Sequence, residues 1–136
     1  QVTDNNDYNT SPVWSPDGSQ IAYSCWETDT IKKGRSFLIL TTLQSEMVVI
    51  IYQGEDASVE FLDSSVCVVD VDGSDLKRLT SSGSSNWSPD WSPDGELIAF
   101  SSDRGEKTSI YTMKSDGSDV TRLTDDEEGS DYTPSW

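Results

Sequence analysis

The sequence predicts an all-β chain assembled from repeated sheets of four short antiparallel strands, and three observations predict it. Apolar residues arrive in bursts of three to six (21–23, 37–40, 47–52, 66–69, 97–100 and 110–113), separated by Gly, Pro, Asp and Ser, which is the pattern of strands and turns. No stretch of ten or more residues carries helical periodicity. Two longer motifs recur along the 136 residues. Only 33% of the chain is hydrophobic and its net charge is −16, values that point toward disorder, but five tryptophans placed among the bursts argue for a packed core.

The repeat sets the architecture. Pro12-Val13-Trp14-Ser15-Pro16-Asp17-Gly18 recurs as Pro89-Asp90-Trp91-Ser92-Pro93-Asp94-Gly95, and Pro134-Ser135-Trp136 opens another copy. Ile21-Ala22-Tyr23-Ser24 and Ile98-Ala99-Phe100-Ser101 begin seven residues after their tryptophans. Asp72-Gly73-Ser74-Asp75-Leu76-Lys77-Arg78-Leu79-Thr80 returns 44 residues later as Asp116-Gly117-Ser118-Asp119-Val120-Thr121-Arg122-Leu123-Thr124, while Trp136 follows Trp91 by 45. A period in the mid-forties with four strand-sized bursts per unit is the arithmetic of a β-propeller blade.

Residues 86–124 show each element of one unit. A strand through Asp90 and Trp91 enters Ser92-Pro93-Asp94-Gly95, a tight turn: Pro fixes φ, Asp bonds its own backbone two residues on, and Gly accepts a positive φ. Leu97–Ser102 is the second strand, and 103–107 turn the chain again. Ile110–Lys114 is the third, Asp116-Gly117 the next hairpin turn, and Val120–Leu123 the fourth. Such a sheet cannot bury both faces alone, so it stacks on sister sheets with the tryptophan between them.

Along the whole chain this pattern predicts about three blades with the middle one truncated. Blade one takes 12–52, with Phe37–Thr42 and Met47–Tyr52 as its third and fourth strands; a truncated blade two takes 57–80, with Phe61 at the tryptophan position; blade three takes 86–124, and 131–136 start a fourth. Propellers close with about four to eight blades, so the ring is expected to be incomplete unless the chain is a piece of a longer protein or pairs with copies of itself.

The two motifs together resemble the TolB-like β-propeller repeat, which also occurs in the propeller domains of prolyl-oligopeptidase-like and tricorn-like proteases. The resemblance is carried by residues 12–25, 66–80 and 86–136; residues 26–65 match only in outline. It implies an interaction scaffold of the bacterial envelope, periplasmic or secreted, and makes six blades from a dimer of three-blade chains a natural assembly. It leaves two alternatives: the gating propeller of a serine peptidase whose catalytic domain lies elsewhere, or an excised piece with no activity of its own.

Composition excludes several chemistries. The chain has no histidine, which removes Ser-His-Asp and Cys-His nucleophiles and His-ligated metals, and it holds no GxSxG elbow. No catalytic residue, cofactor or metal is expected. A net −16 repels a phosphate backbone, so nucleic acid is not an expected partner. The longest apolar run, Met47–Tyr52, is strand-sized, so no membrane-inserting helix is expected. Asp70-Val71-Asp72-Gly73-Ser74-Asp75 superficially follows a calcium loop, but its fifth and twelfth positions, Ser74 and Ser81, lack the required carboxylates. Cys25 and Cys67 have no metal spacing; a disulfide is open, and two small strand residues is the simpler reading. Arg78 and Arg122 read as structural, as do Asp17 and Asp94, and 125–128 as a solvated acidic loop.

The binding candidates are a polar–aromatic pair ahead of each blade: Asp7-Tyr8, Asn86-Trp87 and Asp131-Tyr132. At the mouth of a channel, Tyr8, Trp87 and Tyr132 would anchor a protein or peptide partner, with Asp7, Asn86 and Asp131 beside them. The competing reading packs each aromatic on its neighbouring blade.

Overall fold

The computed structural model describes residue 2 and residues 9–26, 36–41, 47–53, 56–61, 63–80, 83–125 and 129–136, and among these every regular element is a strand. In chain order they are β1 (Asn9–Trp14), β2 (Gln20–Trp26), β3 (Ser36–Thr41), β4 (Met47–Gln53), β5 (Asp56–Phe61), β6 (Ser64–Asp70), β7 (Lys77–Arg78), β8 (Asn86–Trp91), β9 (Leu97–Ser102), β10 (Ser109–Lys114) and β11 (Thr121–Arg122). They form two four-stranded sheets, β1-β2-β6-β7 and β8-β9-β10-β11, and one three-stranded sheet, β3-β4-β5. All pairings are antiparallel. The fold is therefore all-β and built of propeller blades in an open arrangement.

The two four-stranded blades share the hydrogen bonds of their first turn and of their fourth-strand anchor. Ser15 N–H donates to the Gln20 carbonyl and Gly18 N–H to the Ser15 carbonyl, both at 2.9 Å; Ser92, Leu97 and Gly95 do the same at the same lengths. Gly18 and Gly95 close these turns at φ 71° and 75°, a region L side chains avoid. Thr80 Oγ1 accepts the N–H of Val66 at 2.9 Å, and Thr124 Oγ1 accepts that of Ile110 at 3.0 Å. Each pair anchors the end of a fourth strand that has only two residues of ladder.

The assignment of strands to blade one differs from the spacing-based expectation. β3 and β4 are strands, but they are not that blade's outer strands. Instead β2 pairs with β6 along seven positions, from Gln20↔Asp70 to Trp26↔Ser64. The segment around Phe61, expected to open a truncated blade, is β5 and pairs with β4 (Val48↔Phe61). Blade one is thus 9–26 joined to 64–78, with a three-stranded sheet inserted between its second and third strands; 57–80 is not a separate blade, and 86–122, expected as blade three, is blade two. The physical reason lies in the repeats: β1 and β8 are offset by 77 residues, whereas the Asp72 and Asp116 motifs are offset by 44, and the difference is the inserted chain. β6 is also the strand whose residues 64–69 are all buried.

The core follows from strand alternation. Ala22, Val66 and Val68 of blade one meet Trp91, Ile98, Phe100, Tyr111 and Met113 of blade two, with Val13 and Leu79 at the edge. On the opposite face of blade one, Tyr23, Cys25, Cys67 and Val69 pack together with Val2 and Ile21. Cys25 and Cys67 form a disulfide with Cα atoms 5.9 Å apart, so the simpler cysteine reading is replaced by a covalent tie between β2 and β6. Trp91 fills the seam between blades and is 6% exposed; its counterpart Trp14, on the leading side of blade one, is 57% exposed.

Candidate functional site

The segment that opens each blade, strand in β1 and β8, follows one six-residue pattern: Asn or Asp, any residue, Ser or Thr, Pro, any residue, Trp. It occurs at Asn9–Trp14, Asn86–Trp91 and Asp131–Trp136. Its third residue takes a left-handed conformation each time, with φ 52° at Ser11, 50° at Ser88 and 54° at Thr133. In β1 and β8 the ladder to the following strand slips at this point, a bulge between Thr10 and Val13 and between Trp87 and Asp90. The bulge frees that residue's N–H from its own sheet. Ser88 N–H donates to Ser24 Oγ at 3.1 Å, and Thr133 N–H donates to Ser101 Oγ at 3.2 Å. Ser24 and Ser101 are the fully buried serines of the paired Ile-Ala-aromatic-Ser strings. One hydroxyl per blade therefore captures the first strand of the next. The sequence reading did not single these serines out, although their equal offsets from Trp14 and Trp91 were the available signal.

Of the expected rim residues, Asn86 and Trp87 start β8, and Asp131 and Tyr132 hold the same places ahead of Trp136. Asp7 and Tyr8 lie outside the described residues. The bulge aligns Asn9 and Thr10, not Asp7 and Tyr8, with the two later pairs, so the blade-one counterpart of Trp87 is the exposed Thr10. Trp87 is half-buried and Tyr132 is 58% exposed. The Asp131 N–H donates to the Thr108 carbonyl at 2.9 Å, tying this end to the β9–β10 turn.

Asn86 is fully buried and its side chain is committed inside the seam. Its Nδ2 donates to the Ser84 carbonyl at 2.8 Å, and its main-chain carbonyl accepts Ser64 Oγ from blade one at 3.0 Å. Its Oδ1 accepts Arg104 Nη2 at 2.6 Å. Arg104 donates Nε to Ser102 Oγ at 3.0 Å, and its guanidinium lies 4.7 Å from the Tyr111 ring centre and 5.3 Å from that of Phe100. This cation–π stack holds a rigid charged group beside the strand start. Arg78 and Arg122, the repeated arginines, donate to Ser65 Oγ at 2.7 Å and Ser109 Oγ at 2.6 Å, on the strands next to their own.

At the other end of the blades, the Ser-Pro-Asp-Gly turns flank a cleft of about 400 Å³ lined by Ser15, Asp17, Gln20, Trp91, Asp94 and Ser115. The Ser19 N–H and the Ser15 hydroxyl hold the Asp17 carboxyl below its ordinary range, and the Ser92 hydroxyl with the Glu96 N–H do so for Asp94. Ser74 and Ser118 act likewise on Asp72 and Asp116. These carboxylates are ionised turn braces. Among the described residues, no group of three or more His, Cys, Asp or Glu is placed to hold a metal ion. No helix of the described residues is long and apolar enough to cross a membrane. The end that carries Asn86, Trp87, Arg104 and Tyr132 presents two aromatic side chains on a hydrogen-bonded framework.

Residues 57–136 match the family model described as the TolB beta propeller domain. The Tol-Pal system protein TolB of Bordetella pertussis is 30% identical over 127 residues, covering 81% of this chain and 28% of that protein. The proteins of the same name from Bordetella parapertussis and Bordetella bronchiseptica give the same figures. The chain thus spans just over a quarter of the length of these relatives. Among solved structures, a chain assigned as TolB from Agrobacterium tumefaciens aligns with a TM-score of 0.46 and 17% identity, covering 92% of this chain and 65% of that one. TolB from Acinetobacter baumannii aligns at 0.41 and 22%, covering 88% and 33%.

Proposed function

Because the chain belongs to the TolB β-propeller domain family, we propose that it is a non-enzymatic interaction scaffold that docks a protein or peptide at the end where β8 and residues 131–136 begin. The observation that carries this reading is the pair Trp87 and Tyr132, one half-buried and one 58% exposed at equivalent positions on successive blades. Aromatic groups on a rigid base lose little conformational freedom on binding and are the commonest interface anchors. Asn86 and Arg104 supply the rigidity, holding the strand start to both blades.

Three further features support the reading. The 136 residues contain no histidine, so the common hydrolytic triads have no base within them. The curated relatives carry the name Tol-Pal system protein, which makes another component of that system the kind of partner to test. The Cys25–Cys67 disulfide suits an oxidising, extracytoplasmic compartment.

The test is binding of the chain to purified Pal, measured by calorimetry, before and after replacing Trp87 and Tyr132 together with serine. Binding is expected to weaken about tenfold or more, with the circular dichroism spectrum unchanged. Equal affinity, or no binding by the unaltered chain, overturns the reading.

A further inference from the structure

Two segments of this chain fit the place of the third strand in blade one. In blade two that strand is β10, which begins with Ser109 and follows β9 after six residues. In blade one β6 holds the place: Ser65 stands opposite Cys25, as Ser109 stands opposite Ser102, but 37 residues separate β2 from β6. β3 has the same six-residue length as β10, also begins with a serine, Ser36, and follows β2 after only nine residues. Loop-closure entropy alone favours the shorter connection by about eightfold. A fourth strand is ready as well, since Met47 follows Phe37 by ten residues, as Val120 follows Ile110. What separates the two arrangements covalently is the bond from Cys25 to Cys67, which ties β2 to β6 and leaves β3 with β4 and β5.

We infer that the Cys25–Cys67 disulfide selects the third strand of blade one: β6 while the bond is closed, β3 once it is reduced. The reduction needs a dithiol. One of its thiolates attacks a cysteine Sγ, the S–S bond breaks and a mixed disulfide forms. The second thiol of the reductant then displaces that sulfur and closes a disulfide in the reductant. Two electrons pass to the protein, and two protons end on the Sγ atoms of Cys25 and Cys67. Both cysteines are buried, so attack follows fraying of the β2–β6 ladder. With β3 in place, Ser36 stands opposite Cys25 and position 38 takes the register of Cys67.

Hydrogen exchange of the full chain with and without dithiothreitol reads the switch. On reduction, amides of 64–70 are expected to exchange about tenfold faster or more, while those of 86–102 keep their protection. Unchanged protection at 64–70 overturns the inference, and so does a parallel loss at 86–102. A second variant traps the alternative pairing: in Leu38→Cys combined with Cys67→Ser, reoxidation is expected to give an intramolecular bond from Cys25 to position 38 in most molecules. Free thiols or intermolecular dimers overturn it.

Discussion

Asn86 shows how much of this surface depends on one buried amide. Its Oδ1 receives the Arg104 guanidinium and the residue's main-chain carbonyl receives Ser64 Oγ from the other blade, so the start of β8 is fixed from both sides. Replacing Arg104 with alanine strands a buried acceptor, at about 1–3 kcal/mol, and removes a stack worth about 1 kcal/mol. Urea denaturation is expected to show a loss of about 2–4 kcal/mol, and Arg104→Lys should recover little of it, because an ammonium lacks the planar fork. A loss under about 0.5 kcal/mol would mean that the brace is idle. The turn residues around Gly18, Asp72, Gly95 and Asp116 were legible beforehand because their chemistry is local: Ser, Asp and Gly bond within five residues of one another. Asn86 was not, because whether an amide faces a channel or a neighbouring sheet depends on the Ser64 carbonyl, which its Nδ2 reaches at 3.5 Å, and on Arg104, 22 and 18 residues away.

The same contrast holds for strands. The strands β1, β2, β6 and β8–β11 follow from hydrophobic bursts and turn chemistry, and so does the existence of β3, β4 and β5. The partner of β2 does not, since pairing is non-local and Ser36–Thr41 and Ser64–Asp70 offer similar serine-led aliphatic runs. Packing between blades can be probed by two glycines with like backbones. A Cβ on Gly117, at φ 88°, would sit 3.0 Å from the Leu79 carbonyl oxygen and 3.2 Å from Leu79 Cβ, whereas a Cβ on Gly18, at φ 71°, meets nothing within 4 Å. Gly18→Ala is expected to cost about 1 kcal/mol from backbone strain. Gly117→Ala adds the displacement of blade one's outer strand, for a total of about 2–4 kcal/mol. Equal midpoint shifts in urea would show that the outer edges of the blades give way freely.

For the molecule as a whole, the open stack leaves Trp14 uncovered where Trp91 is sealed, 57% against 6% exposed. That face offers an indole and an apolar edge to any blade that arrives. The chain is expected to self-associate in sedimentation experiments, and Trp14→Ser to shift it toward the 15.0 kDa monomer. Its net charge of −16 opposes assembly, so association should strengthen between about 50 mM and about 500 mM salt as repulsion is screened. A monomer at every salt concentration, or association that ignores Trp14, removes this face as the contact.

The hydroxyl that links one blade to the next has an evolutionary corollary. A serine on one unit meets a backbone N–H on its successor, and each unit carries both a socket and a plug. Tandem gene duplication therefore lengthens such an array without inventing a new joint, and the remaining side chains are left to diverge.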